Sequence, residues 1–70
     1  MSKPYAERLR KNLPALVRTR KWTLERLAVE ADVSKSLLSM VVAGKRTPGL
    51  GTLKKLAEAL DVDVTRILKP

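Results

Sequence analysis

Between Thr23 and Gly44 the chain reads TLERLAVEADVSKSLLSMVVAG, two short helix-forming segments joined by a tight turn. Thr23 is a side-chain cap for a first helix running to about Ala31, and Glu25 in its first turn complements the helix dipole. Leu24, Leu27, Ala28 and Ala31 recur at helical spacing and form its buried face. Asp32-Val33 is the turn. Ser34 caps a second helix, which runs to about Ala43 and is stopped by Gly44. Leu38, Val41 and Val42 face inward, so at 3.6 residues per turn Lys35, Ser36, Ser39 and Met40 face outward. The rest of the chain is arranged to hold that small, mostly polar face in place.

Upstream, PYAERLRKNLPALVRTR (residues 4–20) places Leu9, Leu13, Leu16 and Val17 on one stripe of an amphipathic helix, with its arginines and Lys11 off the stripe. Pro4 suits a first helical turn. Pro14 lacks an N–H and crowds the carbonyl of Arg10. Either one helix kinks there, which is the favoured reading, or a turn ends near Lys11 and a second helix starts with Asn12 as cap. Trp22, the single tryptophan, is expected to wedge between the first two helices rather than stack on a base.

Downstream, KRTPGLG (residues 45–51) is a turn-rich loop, with Leu50 expected to anchor it to the core. Thr52 is expected to cap a fourth helix with Leu53, Leu56, Ala57 and Leu60 inside, ended by Asp61-Val62. Asp63 then caps a short last helix carrying Val64, Ile67 and Leu68. No stretch alternates long enough for a strand. The fold expected is all-α, five short helices around one core, with residues 1–70 a single domain.

Composition narrows the chemistry. A core built from 70 residues is marginal, so nearly every apolar residue has to serve it. Cysteine and histidine are both absent, which removes disulfides, thiolate metal sites and the usual general base. The seven carboxylates are scattered, so no catalytic, metal or cofactor site is assigned, and an enzyme is the least favoured class. No apolar run reaches the roughly 18 residues of a membrane span and no signal-peptide core is visible, so no membrane association and a cytoplasmic location are expected. No small-molecule pocket is expected in so small a domain. The net charge is +8, and it is lopsided: residues 1–46 hold eleven Lys/Arg against four Asp/Glu, residues 47–70 four against three. A one-sided basic field suits a polyanion.

From Thr23 to Leu68 the chain resembles, without a gap, the lambda-repressor-like (Cro-type) helix-turn-helix DNA-binding family. The resemblance rests on Leu27-Ala28, Val33-Ser34, Leu38, Val41, Gly44-Lys45, Pro48 and Leu50. It continues through the Leu53/Leu56-Ala57/Leu60 helix and Val62-x-Val64-x-x-Ile67-Leu68. It implies a compact five-helix domain whose third helix, residues 34–43, lies in the major groove while the second abuts the backbone. The base-reading positions it implies are Lys35, Ser36, Ser39 and Met40. Lysine can donate to guanine O6 and N7, serine can donate or accept, and methionine can pack on a thymine methyl. The phosphate positions it implies are Thr23, Leu24, Ser34, Lys45, Arg46 and Thr47. The partner implied is double-stranded DNA, a palindromic operator bound by a homodimer through the last helix (Ile67, Leu68) or, second, the first (Tyr5, Leu9).

The sequence departs from the family at three places. Leu24 stands where many members have glutamine, so a phosphate contact there must come from backbone N–H groups or Thr23. Ala43 replaces a frequent asparagine. Val17 and Val42 replace a buried arginine–glutamate pair, and the two valines are expected to touch. The joint replacement is physically sensible, since one charge left alone in a core costs about 3–5 kcal/mol whereas an apolar pair is often neutral or better. The function expected is that of a sequence-specific transcriptional regulator of the phage, prophage or restriction-controller type. Two alternatives stay open: a protein-interaction module, antitoxin-like or regulator-binding, using the apolar LLSMVV side of the third helix, and nonspecific, charge-driven binding to acidic surfaces, RNA or anionic membrane.

Overall fold

The computed structural model describes residues 4–70, which form five helices: α1 (Pro4–Thr19), α2 (Leu24–Ala31), α3 (Lys35–Val42), α4 (Leu50–Ala59) and α5 (Val64–Ile67). The remaining described residues are turns and loops, without strands. α1 packs across α3, α2 and α5, and α4 packs against α2 and α5. One core forms where they meet, from Leu9, Leu13 and Val17 of α1, Leu27, Ala28 and Ala31 of α2, Leu38 and Val41 of α3, Leu53, Leu56 and Ala57 of α4, Leu60, and Ile67 of α5. It contains no polar or charged side chain.

α1 runs through Pro14 without a break. The proline forfeits one backbone hydrogen bond, but the stripe Leu9, Leu13 and Val17 is buried on both sides of it, and that packing holds the two halves in one helix. Asn12 is therefore not a helix cap. Its amide donates to the carbonyls of Ile67 and Lys69, each at 2.7 Å, fastening the end of the chain to α1. Arg20 likewise donates from Nε to the Leu60 carbonyl at 3.2 Å, at the end of α4. Carbonyls at helix ends lack intrahelical donors, and here side chains of α1 and its exit supply them.

Each of the four longer helices leaves through the same turn. A left-handed residue, Lys21, Asp32, Gly44 or Asp61, follows the helix. Its N–H bonds back three residues, and the next N–H bonds back five: Trp22 to Val17, Val33 to Ala28, Lys45 to Met40 and Val62 to Ala57. This double bond pattern is the Schellman turn, which is normally closed by an apolar residue just after the left-handed one. Trp22, Val33 and Val62 fill that role and pack on the core. Trp22 is thus half-buried, with the guanidinium groups of Arg20 and Arg26 5.1 and 4.8 Å from its ring centre.

Several expectations need correction. Leu50 does not anchor the loop: it is 62% exposed, whereas Pro48 is buried and its carbonyl accepts a long hydrogen bond from the Tyr5 hydroxyl at 3.5 Å. Thr52 does not cap α4, which starts earlier, at Leu50, with Gly49 as the capping residue. Pro48 is buried, and the helix begins after the Gly49 that follows it. Asp63 occupies the capping position of α5 but makes no side-chain cap bond. Leu24 and Val42 are only half-buried. Ile67 and Leu9 are 0% exposed, so neither can form a dimer surface. Val17 is buried and Val42 packs on the same core from α3.

Candidate nucleic-acid interface

The two turns that set the site are capped as the sequence requires. Thr23 is extended and its hydroxyl accepts from the Arg26 N–H at 3.1 Å. Ser34 does the same for the Leu37 N–H at 3.0 Å. Each cap satisfies one of the orphan donors of its helix. The first two amides of each helix, Leu24 and Glu25 in α2 and Lys35 and Ser36 in α3, have no partner among the described residues. These N–H groups, at the positive ends of the helix dipoles, are able to receive an anionic oxygen.

Between the caps, burial of Leu38 and Val41 fixes the rotation of α3. Lys35, Ser36, Ser39 and Met40 all lie on its exposed side, with Met40 37% exposed and Leu37 half-buried. A shallow depression lined by Thr23, Leu24, Glu25, Lys35, Leu38 and Ser39 joins this face to the start of α2. The expected base-facing and phosphate-facing groups therefore meet at that end. Lys45, Arg46 and Thr47 are exposed at the opposite end of α3. Eight helical residues at 1.5 Å each separate the two ends by about 12 Å, close to the width of the major groove.

Two contacts of this surface carried no signal in the sequence. Glu25 approaches Lys35, its Oε2 lying 3.3 Å from Nζ, with both side chains about two-thirds exposed. The pair links the first turn of α2 to the first residue of α3, a contact between residues ten apart that depends on the angle of the turn. It is too exposed to contribute much to stability. Arg10 comes from α1 and lies over Gly44: a Cβ built on that glycine stands 3.3 Å from Arg10 Cδ. Gly44 also has a φ of +78°, a conformation that side chains disfavour. Only the packing of α1 across α3 reveals this neighbour.

The helix-turn-helix family model matches residues 15–67. An uncharacterised HTH-type transcriptional regulator of Bacillus subtilis strain 168, RghRB, is 38% identical over 66 residues, covering 93% of this chain and 45% of that protein. The chain thus spans about half the length of that curated relative. Among solved structures, the restriction-modification controller protein C.AhdI from Aeromonas hydrophila superposes with a TM-score of 0.77 at 26% identity, over 91% of both chains.

Proposed function

The chain belongs to the helix-turn-helix family, and on that premise we propose that it is a sequence-specific double-stranded-DNA-binding transcriptional regulator. The observation that carries this reading is the surface of α3. Burial of Leu38 and Val41 turns Lys35, Ser36, Ser39 and Met40 outward, between helix-start amides that are unpartnered among the described residues at one end and the exposed Lys45 and Arg46 at the other. The relatives support it: one is an HTH-type transcriptional regulator and the other a restriction-modification controller. In this reading α3 lies in the major groove. Lys35 donates to guanine, Ser36 and Ser39 exchange hydrogen bonds with base edges, and Met40 covers a thymine methyl. Thr23, Ser34 and the amide of Leu24 hold phosphate at one end, and Lys45, Arg46 and Thr47 hold it at the other.

One such domain touches few base pairs, so the protein works as a homodimer on a palindromic operator in the cytoplasm, with half-sites about one helical turn apart. With Ile67 and Leu9 inside the core, the dimer surface draws on other residues. The net charge of +8 supplies most of the affinity, and the α3 face supplies the choice of sequence.

Selection from a pool of random duplexes at near-physiological salt tests the reading. The wild type is expected to enrich a two-fold-symmetric motif. Lys35→Ala is expected to relax one position of each half-site, and Arg46→Ala to weaken all sites uniformly. An unenriched pool whose binding fades only with salt contradicts sequence-specific regulation.

A further inference from the structure

We propose that Arg10 of α1 is a DNA-phosphate ligand, the third cation of a clamp completed by Lys45 and Arg46 at the exit of α3. This rests on the DNA-binding reading above and adds a helix that lies outside the helix-turn-helix.

The exit of α3 is the odd one among four otherwise equivalent turns. After α1, α2 and α4 the closing residue is Trp22, Val33 or Val62, folded inward onto the core. After α3 the same position is Lys45, exposed, with Arg46 next to it. The left-handed residue differs as well. Lysine or aspartate serves at the other three exits, and glycine serves here. A side chain at residue 44 meets the Arg10 stem at 3.3 Å, so the glycine leaves room for that arginine as well as for the turn. The hydrogen bond from Tyr5 to the Pro48 carbonyl ties the same end of α1 to the loop. Arg10 is thereby placed over Gly44, the residue that precedes Lys45 and Arg46.

Electrostatics explains why three cations gather there. The last carbonyls of α3 carry partial negative charge and oppose an approaching phosphate. At the start of a helix bare amides suffice to bind one, but at its end cations must outweigh the dipole. Arg10 is lightly held in the free protein. Its Nη1 lies 3.8 Å from Glu7 Oε1, and both side chains are more than half exposed. Such a pair is weak and easily exchanged for a phosphate, which a guanidinium binds through two parallel hydrogen bonds.

The test uses the duplex selected by the wild type, with affinity followed by fluorescence anisotropy from 50 to 200 mM salt. Arg10→Met keeps an unbranched stem over Gly44 and removes the charge. Its melting temperature is measured first, and Arg10→Lys serves as the charge-retaining rescue. Loss of one phosphate contact lowers the slope of log affinity against log salt by about 0.9, so the deficit of Arg10→Met shrinks about 3.5-fold across that range. Base preferences are expected to stay as in the wild type, and Arg10→Lys to recover most of the slope. In a scan of duplexes carrying single methylphosphonates, one neutralised phosphate is expected to weaken the wild type more than it weakens Arg10→Met, which keeps Lys45 and Arg46. An Arg10→Met protein that melts like the wild type and keeps its slope overturns the proposal while leaving the DNA reading intact. A wild type that binds no duplex overturns both.

Discussion

Replacing Val17 by arginine tests whether the boundary between α1 and α3 depends on an apolar side chain at this position. Val17 is 4% exposed on α1, and Val42 packs on the same core from α3. A lone guanidinium at residue 17 has no carboxylate beside it, because the core holds no polar side chain. Leaving one charge unpaired in such a place costs about 3–5 kcal/mol. Losing a buried valine adds about 1.5 kcal/mol or more. Against this, a domain of 70 residues is stable by only about 3.5–10 kcal/mol at 0.05–0.15 kcal/mol per residue. Val17→Arg is therefore expected to lower the melting temperature by at least about 12 °C, or to unfold the domain, at about 4 °C or more per kcal/mol. Val17→Ala, which leaves a cavity but no charge, is expected to lose about 2 kcal/mol. Val17→Arg with Val42→Glu regains part of the loss, because the second substitution supplies the missing partner. Urea unfolding of the wild type, Val17→Arg, Val42→Glu and the double variant gives the coupling between the two positions. A Val17→Arg protein within about 1 kcal/mol of wild type, or a double variant no better than the single, refutes this account of the α1–α3 boundary.

The other expectations concern single features. Gly44→Ala combines a disfavoured left-handed backbone with a close approach to Arg10, and is expected to cost about 1–2 kcal/mol in thermal unfolding. Ser34→Ala removes the cap of α3 and is expected to cost about 1 kcal/mol. Leu50→Ser, by contrast, is expected to stay within about 0.5 kcal/mol of wild type, since Pro48 and not Leu50 anchors the loop; a loss above that in urea unfolding contradicts the assignment. Glu25→Gln frees Lys35 from its ion pair and removes a carboxylate from the face proposed to meet DNA. Competition binding is expected to show tighter binding to unrelated duplexes and less discrimination at the base assigned to Lys35 in the proposed reading.

The order and type of the five helices were legible because caps and periodicity agreed: Thr23, Ser34, the Leu9/Leu13/Val17 stripe and the Leu53/Leu56/Ala57/Leu60 stripe each point to one solution. The outward set on α3 followed from two buried residues, Leu38 and Val41. Boundaries were harder where signals competed. In the loop before α4, proline, glycine and threonine each offer a start, and burial of Pro48 decided between them. Pro14 reads as a breaker by itself, yet packing on both sides of it outweighs one missing hydrogen bond. The contacts Arg10–Gly44 and Glu25–Lys35 were illegible because they depend on how helices cross, which no local spacing encodes.

The most direct test of α3 in the major groove is atomic substitution in the selected duplex. Each guanine is replaced in turn by 7-deazaguanine, which removes the N7 acceptor from the major-groove edge and leaves the base pair intact. Wild type is expected to lose about tenfold or more in affinity at one guanine of each half-site. Lys35→Ala, which has already lost that contact, is expected to be indifferent to the same change. Equal losses in both proteins, or no loss at any guanine, contradict a reading head built on Lys35.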